Sequence, residues 1–237
     1  MITIKNLTKK YKHVTALNNV NLDVKDGELY GLLGVNGAGK STLIKILCGL
    51  TKKTSGEVIV NGYDLDKDAV KIKEIIDVSP QEISVAQNLT VQENLKFFAS
   101  VYGKKDNPLI EEIISTFKLD TVLNQRTKTL SGGYKRRLSV AVALISEPQI
   151  LFLDEPTLGL DVLARRELWS IINKLKGKMT IILTSHYLDE IEQLCDRVGV
   201  MSNGNVLAVG TTQELMELTS TATFENAFVS LVEKAYE

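Results

Sequence analysis

The sequence predicts a mixed α/β fold carrying a helical insertion, and three observations predict it. Apolar runs of strand length occur near both ends, GELYGLL before residue 34 and ILFLD, MTIILTS, VGVMS and NVLAVG after residue 149. A glycine-rich loop, GVNGAGKST, joins the first of these runs to a segment with helical spacing. Between them, from about 90 to 145, the periodicity is helical throughout, so the two sets of strands are interrupted by a lobe of helices.

Taken in order, residues 1–33 read as strands and turns. Ile2 and Ile4 alternate with polar residues, as do Val20, Leu22 and Val24, and Asp26-Gly27 marks a turn. These strands form the expected N-terminal antiparallel β subdomain. GELYGLL follows as a buried strand, and STLIKILCGL has Leu43, Ile46, Leu47 and Leu50 on one helical face. EVIVNG is a strand with a turn. The lobe is expected to contain a helix with Leu95, Phe98 and Tyr102 inward, one with Ile110, Ile113, Ile114 and Phe117 inward, and one starting after Gly133. The last segment, 220–237, reads as a short amphipathic helix with Phe224, Phe228 and Leu231 on one side, appended to a domain spanning 1–219.

Composition narrows the classes. The chain has 237 residues, of which 24% are charged and 44% hydrophobic, as in an ordinary globular domain with a full core. A net charge of −1 gives no pull toward nucleic acid or an anionic membrane, and no nucleic-acid partner is expected. No apolar run approaches the ~18 residues of a membrane span, so a membrane role requires a partner. Cys48 and Cys195 lie in apolar helical patterns and read as free thiols.

The chemistry sits in four places. Gly34 to Ser41 fits G-x-x-x-x-G-K-[ST] between a strand and a helix. In such a loop the backbone of Gly34, Asn36, Gly37, Ala38 and Gly39 turns amides toward phosphates. Lys40 reaches the β- and γ-phosphates, Ser41 offers a hydroxyl to Mg²⁺, and Thr42 follows at the helix N-terminus. ILFLDEPT, 150–157, brings Asp154 and Glu155 out at a strand end, one carboxylate for the metal and one to orient or deprotonate water. His186 closes MTIILTSH. LSGGY, 130–134, looks like a second anion loop without a lysine of its own, with Lys135, Arg136 and Arg137 just behind it. These three cations are expected either to attract a triphosphate or, for Lys135 and Arg137 with equal weight, to be solvated or paired with acids.

With GVNGAGKST, LSGGY, LFLDEPT and His186 in this order, the chain resembles the nucleotide-binding subunits of ATP-binding cassette (ABC) transporters from about Met1 to Leu215. The resemblance implies a P-loop core of ABC type that binds and hydrolyses ATP with Mg²⁺. It also implies a pair of cassettes, of one chain or two homologous ones, in which Ser131, Gly132 and Gly133 of each close over the other's nucleotide. By the same likeness Tyr11 stacks on adenine and Gln81 meets the metal and the attacking water. Asp154 and Ser41 ligate the metal, Glu155 acts on water, His186 touches the γ-phosphate and Asp161 crosses to the second cassette. Tyr134 departs from the family's usual glutamine. The implied partner is a separate membrane permease, which would hold the subunit peripherally at the cytoplasmic side of the cell membrane. SGGYKRRLSVAVALISEPQILFLDEPTLGLD and the tail FENAFVSLVEK are similar to the bacterial exporter branch of drug, sodium and bacteriocin-resistance cassettes.

Two rivals are weaker. An ABC-type ATPase acting on ribosomes or DNA is expected to carry two cassettes in one chain or a long coiled coil. A GTPase is expected to carry Asn-Lys-x-Asp, but Asn173-Lys174 is followed by Leu175 and Lys176.

Overall fold

Alternation in the first 24 residues builds a hairpin. Strand β1 (Ile2–Tyr11) pairs antiparallel with β2 (Val14–Val24), Ile2 opposite Val24 and Ile4 opposite Leu22. The computed structural model describes residues 1–104 and 108–235. Next come β3 (Leu29–Gly34), α1 (Lys40–Leu47), β4 (Ser55–Val60), β5 (Tyr63–Asp64), α2 (Ala69–Ile75) and β6 (Ile76–Ser79). The lobe carries α3 (Val91–Val101), α4 (Leu109–Thr116) and α5 (Gly132–Leu144). The chain then returns through β7 (Ile150–Asp154), α6 (Val162–Leu175), β8 (Thr180–Ser185), α7 (Leu188–Leu194), β9 (Arg197–Ser202), β10 (Asn205–Gly210), α8 (Thr212–Thr219) and α9 (Phe224–Lys234).

The strands make two sheets. One is antiparallel, in the order β2-β1-β4-β5; the other runs β10-β9-β3-β8-β7-β6, parallel except for the edge strand β10. A parallel sheet must be covered on both faces, and the side chains divide accordingly. Tyr30, Leu32, Phe152 and Ile182 face α1 and the antiparallel sheet. Leu29, Leu33, Leu151, Leu153, Ile181 and Leu183 face the other way, onto residues of α5, α6, α7 and α9. The strand runs are apolar without a gap because both of their faces are interior.

The helices depart from the sequence reading in two details. Leu50 is not on the buried face of α1: the helix ends at Cys48, Gly49 turns the backbone to φ 69°, and Leu50 is 68% exposed. Tyr102 caps the C-terminus of α3 with its ring 40% exposed, and its hydroxyl donates to Asp77 Oδ2 at 2.8 Å, so it ties the lobe to β6 by a polar contact. The other lobe residues pack inward, with Leu95, Ile113 and Phe117 buried and Phe98, Ile110 and Ile114 partly so. Both cysteines are free, Cys48 buried and Cys195 partly buried.

The tail helix α9 starts from a Thr223 side-chain cap and packs against α8 and the far side of the parallel sheet. Phe224 is buried to 1% exposure, while Phe228 and Leu231 are partly buried against the same core. Phe224→Ala is therefore expected to cost about 3 kcal/mol or more and to lower Tm by roughly 10 °C, read by thermal unfolding, with the affinity for ATP unchanged.

Candidate functional site

Three parallel strands end on one side of the sheet, and the sequence places a different chemical group at each end. In the register, Leu33 lies beside Ser185 and Asp154 beside Thr184. The glycine-rich loop after β3, the acidic pair at the end of β7 and His186 just past β8 therefore converge. This is the C-terminal edge at which open α/β sheets bind ligands.

Gly37 and Gly39 have φ of 83° and 106°, which side-chain-bearing residues rarely adopt. A Cβ on Gly39 would also lie 2.7 Å from the Ala16 carbonyl oxygen. The loop is propped from outside its own strand. Gly204, in the turn between β9 and β10, donates to the Ala38 carbonyl at 3.0 Å, and Asn18 of β2 donates to Gly204 at 2.8 Å. Lys40 is buried, its Nζ donating to Gly34 O at 2.5 Å and lying 3.5 Å from Glu155 Oε1. Gly39 caps α1 without a side-chain hydrogen bond, so the first-turn amides receive no side-chain cap. That helix end suits an anion.

Beside the loop stand the two carboxylates. Ser41 Oγ donates to Asp154 Oδ1 at 3.2 Å, and Thr184 Oγ1 donates to the same oxygen at 2.6 Å. Thr184 also accepts from the Glu155 amide at 2.9 Å. The sequence reading missed this residue: a lone threonine in an apolar strand carries no signal until the register sets it opposite Asp154. Glu155 itself has φ 50°, a strained conformation for a residue with a side chain. Its Oε2 lies 2.6 Å from His186 Nδ1. The outcome is a buried carboxylate braced between Lys40 and His186.

Together these elements enclose a cavity of about 690 Å³ lined by Val14, Thr15 and Ala16, by the loop from Val35 to Thr42, and by Gln81, Glu155, Leu158, His186 and Asn203. Of the predicted residues, Gly34 and Asp154 sit just behind the lining, joined to it through Lys40 and Ser41. Tyr11 ends β1 half exposed, with the Lys9 ammonium 4.5 Å from its ring centroid, and does not line the cavity. Ser131, Gly132, Gly133 and Asp161 lie outside it as well. Ser131 caps α5, accepting from the Tyr134 amide at 3.4 Å, and Asp161 caps α6, accepting from Ala164 at 2.9 Å.

Of the three cations behind LSGGY, Arg137 takes the acid-paired alternative of the sequence reading, while Arg136 corrects it. They stand in the second turn of α5, and Arg136 and Arg137 are buried at 4% and 6% exposure. Arg136 points to the chain's own core, donating to the carbonyls of Pro80 at 2.8 Å and Gln81 at 2.6 Å. Burial lowers the pKa of its guanidinium, and the Asp154 carboxylate works against that. Arg137 pairs with Glu167 at 3.2 Å and covers the Tyr134 ring, while Lys135 donates to the Lys128 carbonyl at 3.1 Å. Arg136 thus holds the Gln81 turn at the mouth of the cavity, a role that its position in the sequence did not suggest.

The donor set fits Mg²⁺. Ser41 and Asp154 offer hard oxygens side by side and Gln81 faces the same space, while among the described residues no cluster of His, Cys, Asp and Glu could hold a metal alone. That suits a cation that keeps waters and relies on substrate phosphate.

A family profile described as ABC transporter matches residues 17–158. The chain belongs to the ABC transporter family. Among curated ABC relatives, the probable multidrug ABC transporter ATP-binding protein YbhF of Escherichia coli (strain K12) is 42% identical over 241 residues, covering 98% of this chain and 42% of that protein. The linearmycin resistance ATP-binding protein LnrL of Bacillus subtilis (strain 168) is 36% identical, covering 100% of this chain and 77% of its own length. The chain thus spans less than half of the first relative and about three quarters of the second. Among solved ABC structures, an ATP-binding subunit of an ABC transporter superposes with a TM-score of 0.86 at 31% identity, covering 98% of this chain and 99% of that one. A dimeric cassette in a post-hydrolysis state, MJ0796 bound to ADP and Pi, gives 0.78 at 28% identity over 89% of this chain and 98% of that one. Both relatives are named ATP-binding proteins, and that neighbour holds the products ADP and Pi.

Two substitutions separate binding from turnover. Lys40→Ala removes the buried cation of the glycine-rich loop and is expected to abolish tight ATP binding, measured by equilibrium titration. Thr184→Val keeps the volume but removes the hydroxyl that joins Asp154 Oδ1 to the Glu155 amide; turnover is expected to fall about tenfold or more with ATP affinity within about threefold of wild type.

Proposed function

We propose that this chain is the ATP-hydrolysing subunit of an exporter, driving a separate membrane permease from the cytoplasmic face as a pair of cassettes that share their two sites. The carrying observation is a separation. Lys40, Ser41, Glu155 and His186 converge on one cavity, while the glycine-rich start of α5 lies outside it. Gly132 has no positive φ, and a Cβ there would meet only Leu160 at an ordinary 3.8 Å, so the chain's own fold does not demand glycine. A surface that must admit something from outside does. The cassette is taken as residues 1–219 and the tail as 220–237.

In this reading Mg²⁺, when bound, supplies charge to the phosphate oxygens, held by Ser41, Asp154 and Gln81. Lys40 and the amides from Gly37 to Thr42 hold the triphosphate, with Gly34, Asn36 and Ala38 shaping the loop around it. Tyr11 stacks on the adenine. Glu155, kept in place by the Thr184 hydroxyl, orients water and takes its proton. His186 engages the carboxylate through Nδ1, which leaves Nε2 for the γ-phosphate. Ser131, Gly132, Gly133 and Asp161 act on the nucleotide of the other cassette. Among the described residues no helix is long and apolar enough to cross a membrane, and the transported substrate is assigned to the permease. Export is supported by the names of the relatives, one a probable multidrug transporter protein and the other a linearmycin resistance protein.

Complementation tests the shared site. Lys40→Ala and Gly132→Asp, each inactive alone, are mixed and ATP hydrolysis is measured. Random pairing makes half the dimers mixed, each with one intact site, so up to roughly a quarter of wild-type activity is expected to return if the sites act independently. Absence of any recovery counts against a site built from two chains.

A further inference from the structure

Glu190 on α7 is the buried carboxyl that the reaction described above leaves unused. It has 0% exposure, and its Oε1 accepts from Trp169 Nε1 of α6 at 3.0 Å. The hydroxyls of Ser185 and Thr157 face it from two directions, Ser185 next to His186 and Thr157 two residues beyond Glu155. Neither closes a well-formed bond with the second oxygen. Glu190 Oε2 and Thr157 Oγ1 are both buried and without a hydrogen-bond partner among the described residues. Both hydroxyls nonetheless lie close enough to favour the charged carboxylate, so Glu190 joins the two segments by contacts short of full hydrogen bonds.

The neighbouring side chains extend the same contact. One turn before Trp169, Arg165 lies over the Tyr187 ring at 4.7 Å and pairs with Asp189 at 3.2 Å, and the Tyr187 ring lies against His186 with centroids 4.1 Å apart. Helix α6, whose cap is Asp161, therefore grips the segment carrying His186 at two points, one exposed and one buried. Glu190 is the buried point, and it alone also faces the turn after Glu155.

We propose that Glu190 is a positioning residue for ATP hydrolysis, fixing the Glu155 turn and the Ser185-His186 strand end relative to each other and to α6 through Trp169. The inference rests on the ATPase reading above. Glu190 accepts from Trp169 at Oε1 while the Ser185 and Thr157 hydroxyls lie beside the same carboxyl. Burial pushes the carboxyl above its ordinary range and the charge of Glu155 adds to that, while the contacts of Ser185, Trp169 and Thr157 work against it. Cys195, the other titratable group against it, is held as a thiol by burial. Arg165 turns its charge to Asp189.

The test uses the full chain, whose single tryptophan makes the contact visible. The indole N–H resonance of ¹⁵N-labelled Trp169 is recorded beside steady-state Mg-ATP hydrolysis for Glu190→Ala, Glu190→Gln and Trp169→Phe. Expected are a protected indole proton in wild type and Glu190→Gln, and an exchanging one in Glu190→Ala. In Glu190→Ala kcat is expected to fall about tenfold or more at an unchanged KM for ATP, because geometry and not binding is lost. Glu190→Gln, a neutral isostere, rescues kcat to within about threefold, and Trp169→Phe gives an intermediate loss not additive with Glu190→Ala. Unchanged kcat in Glu190→Ala overturns the proposal, as does Glu190→Gln losing turnover or failing to fold, since either means that the charge is what matters. Should Glu190→Ala not fold, Glu190→Gln and Trp169→Phe still decide. Failure of the ATPase reading is separate: it shows as Lys40→Ala hydrolysing ATP normally, whatever the indole resonance does.

Discussion

The register of three parallel strands fixes everything else at the site. Setting Leu33 beside Ser185 and Asp154 beside Thr184 brings the phosphate loop, the acidic pair and His186 to one edge. A slip of one residue would turn every alternating side chain to the opposite face, and here both faces are interior. The two core clusters divide β3, β7 and β8 by alternate residues, so the packing that stabilises the sheet also sets the site geometry to within a hydrogen bond. Thr184 is where the two meet: a buried strand residue whose single hydroxyl bridges Asp154 Oδ1 and the Glu155 amide. The strain at Glu155, with φ at 50°, is held by that same hydroxyl.

What the sequence made legible is what repeats locally. The strands announced themselves as apolar runs, and the phosphate loop as a spacing of glycines, lysine and serine whose chemistry is carried by the backbone. What it could not show is what depends on chain direction in three dimensions. Three consecutive cations after LSGGY look alike in the sequence, yet successive residues of a helix point about 100° apart. One therefore reaches the Gln81 turn, one pairs with Glu167 beneath Tyr134, and one lies along the surface. Leu50 failed for a similar reason. Its spacing is helical, but Gly49 ends the helix just before it. Thr184, Trp169 and Glu190 gave no signal, because each matters only through a partner distant in sequence.

Arg136 shows how the lobe and the core act as one object. Its helix begins at the Ser131 cap, and one turn later its guanidinium holds the carbonyls of Pro80 and Gln81. The exposed start of α5 is thereby joined to the mouth of the cavity through a short, buried, charge-assisted pair of hydrogen bonds. Such bonds are stiff because a buried guanidinium that lost both acceptors would be left unpaired in a poorly hydrated space.

Helix α6 does the same on the other side. It starts at Asp161, and one and two turns into it Arg165 and Trp169 reach across to Tyr187, Asp189 and Glu190. Each exposed end, the start of α5 and the start of α6, is thus tied by polar contacts to a different part of the cavity, to Gln81 through Arg136 and to the segment carrying His186 through Arg165 and Trp169. On the proposed reading of a shared site, these contacts inside each chain add to the direct reach of Ser131, Gly132, Gly133 and Asp161 across the pair.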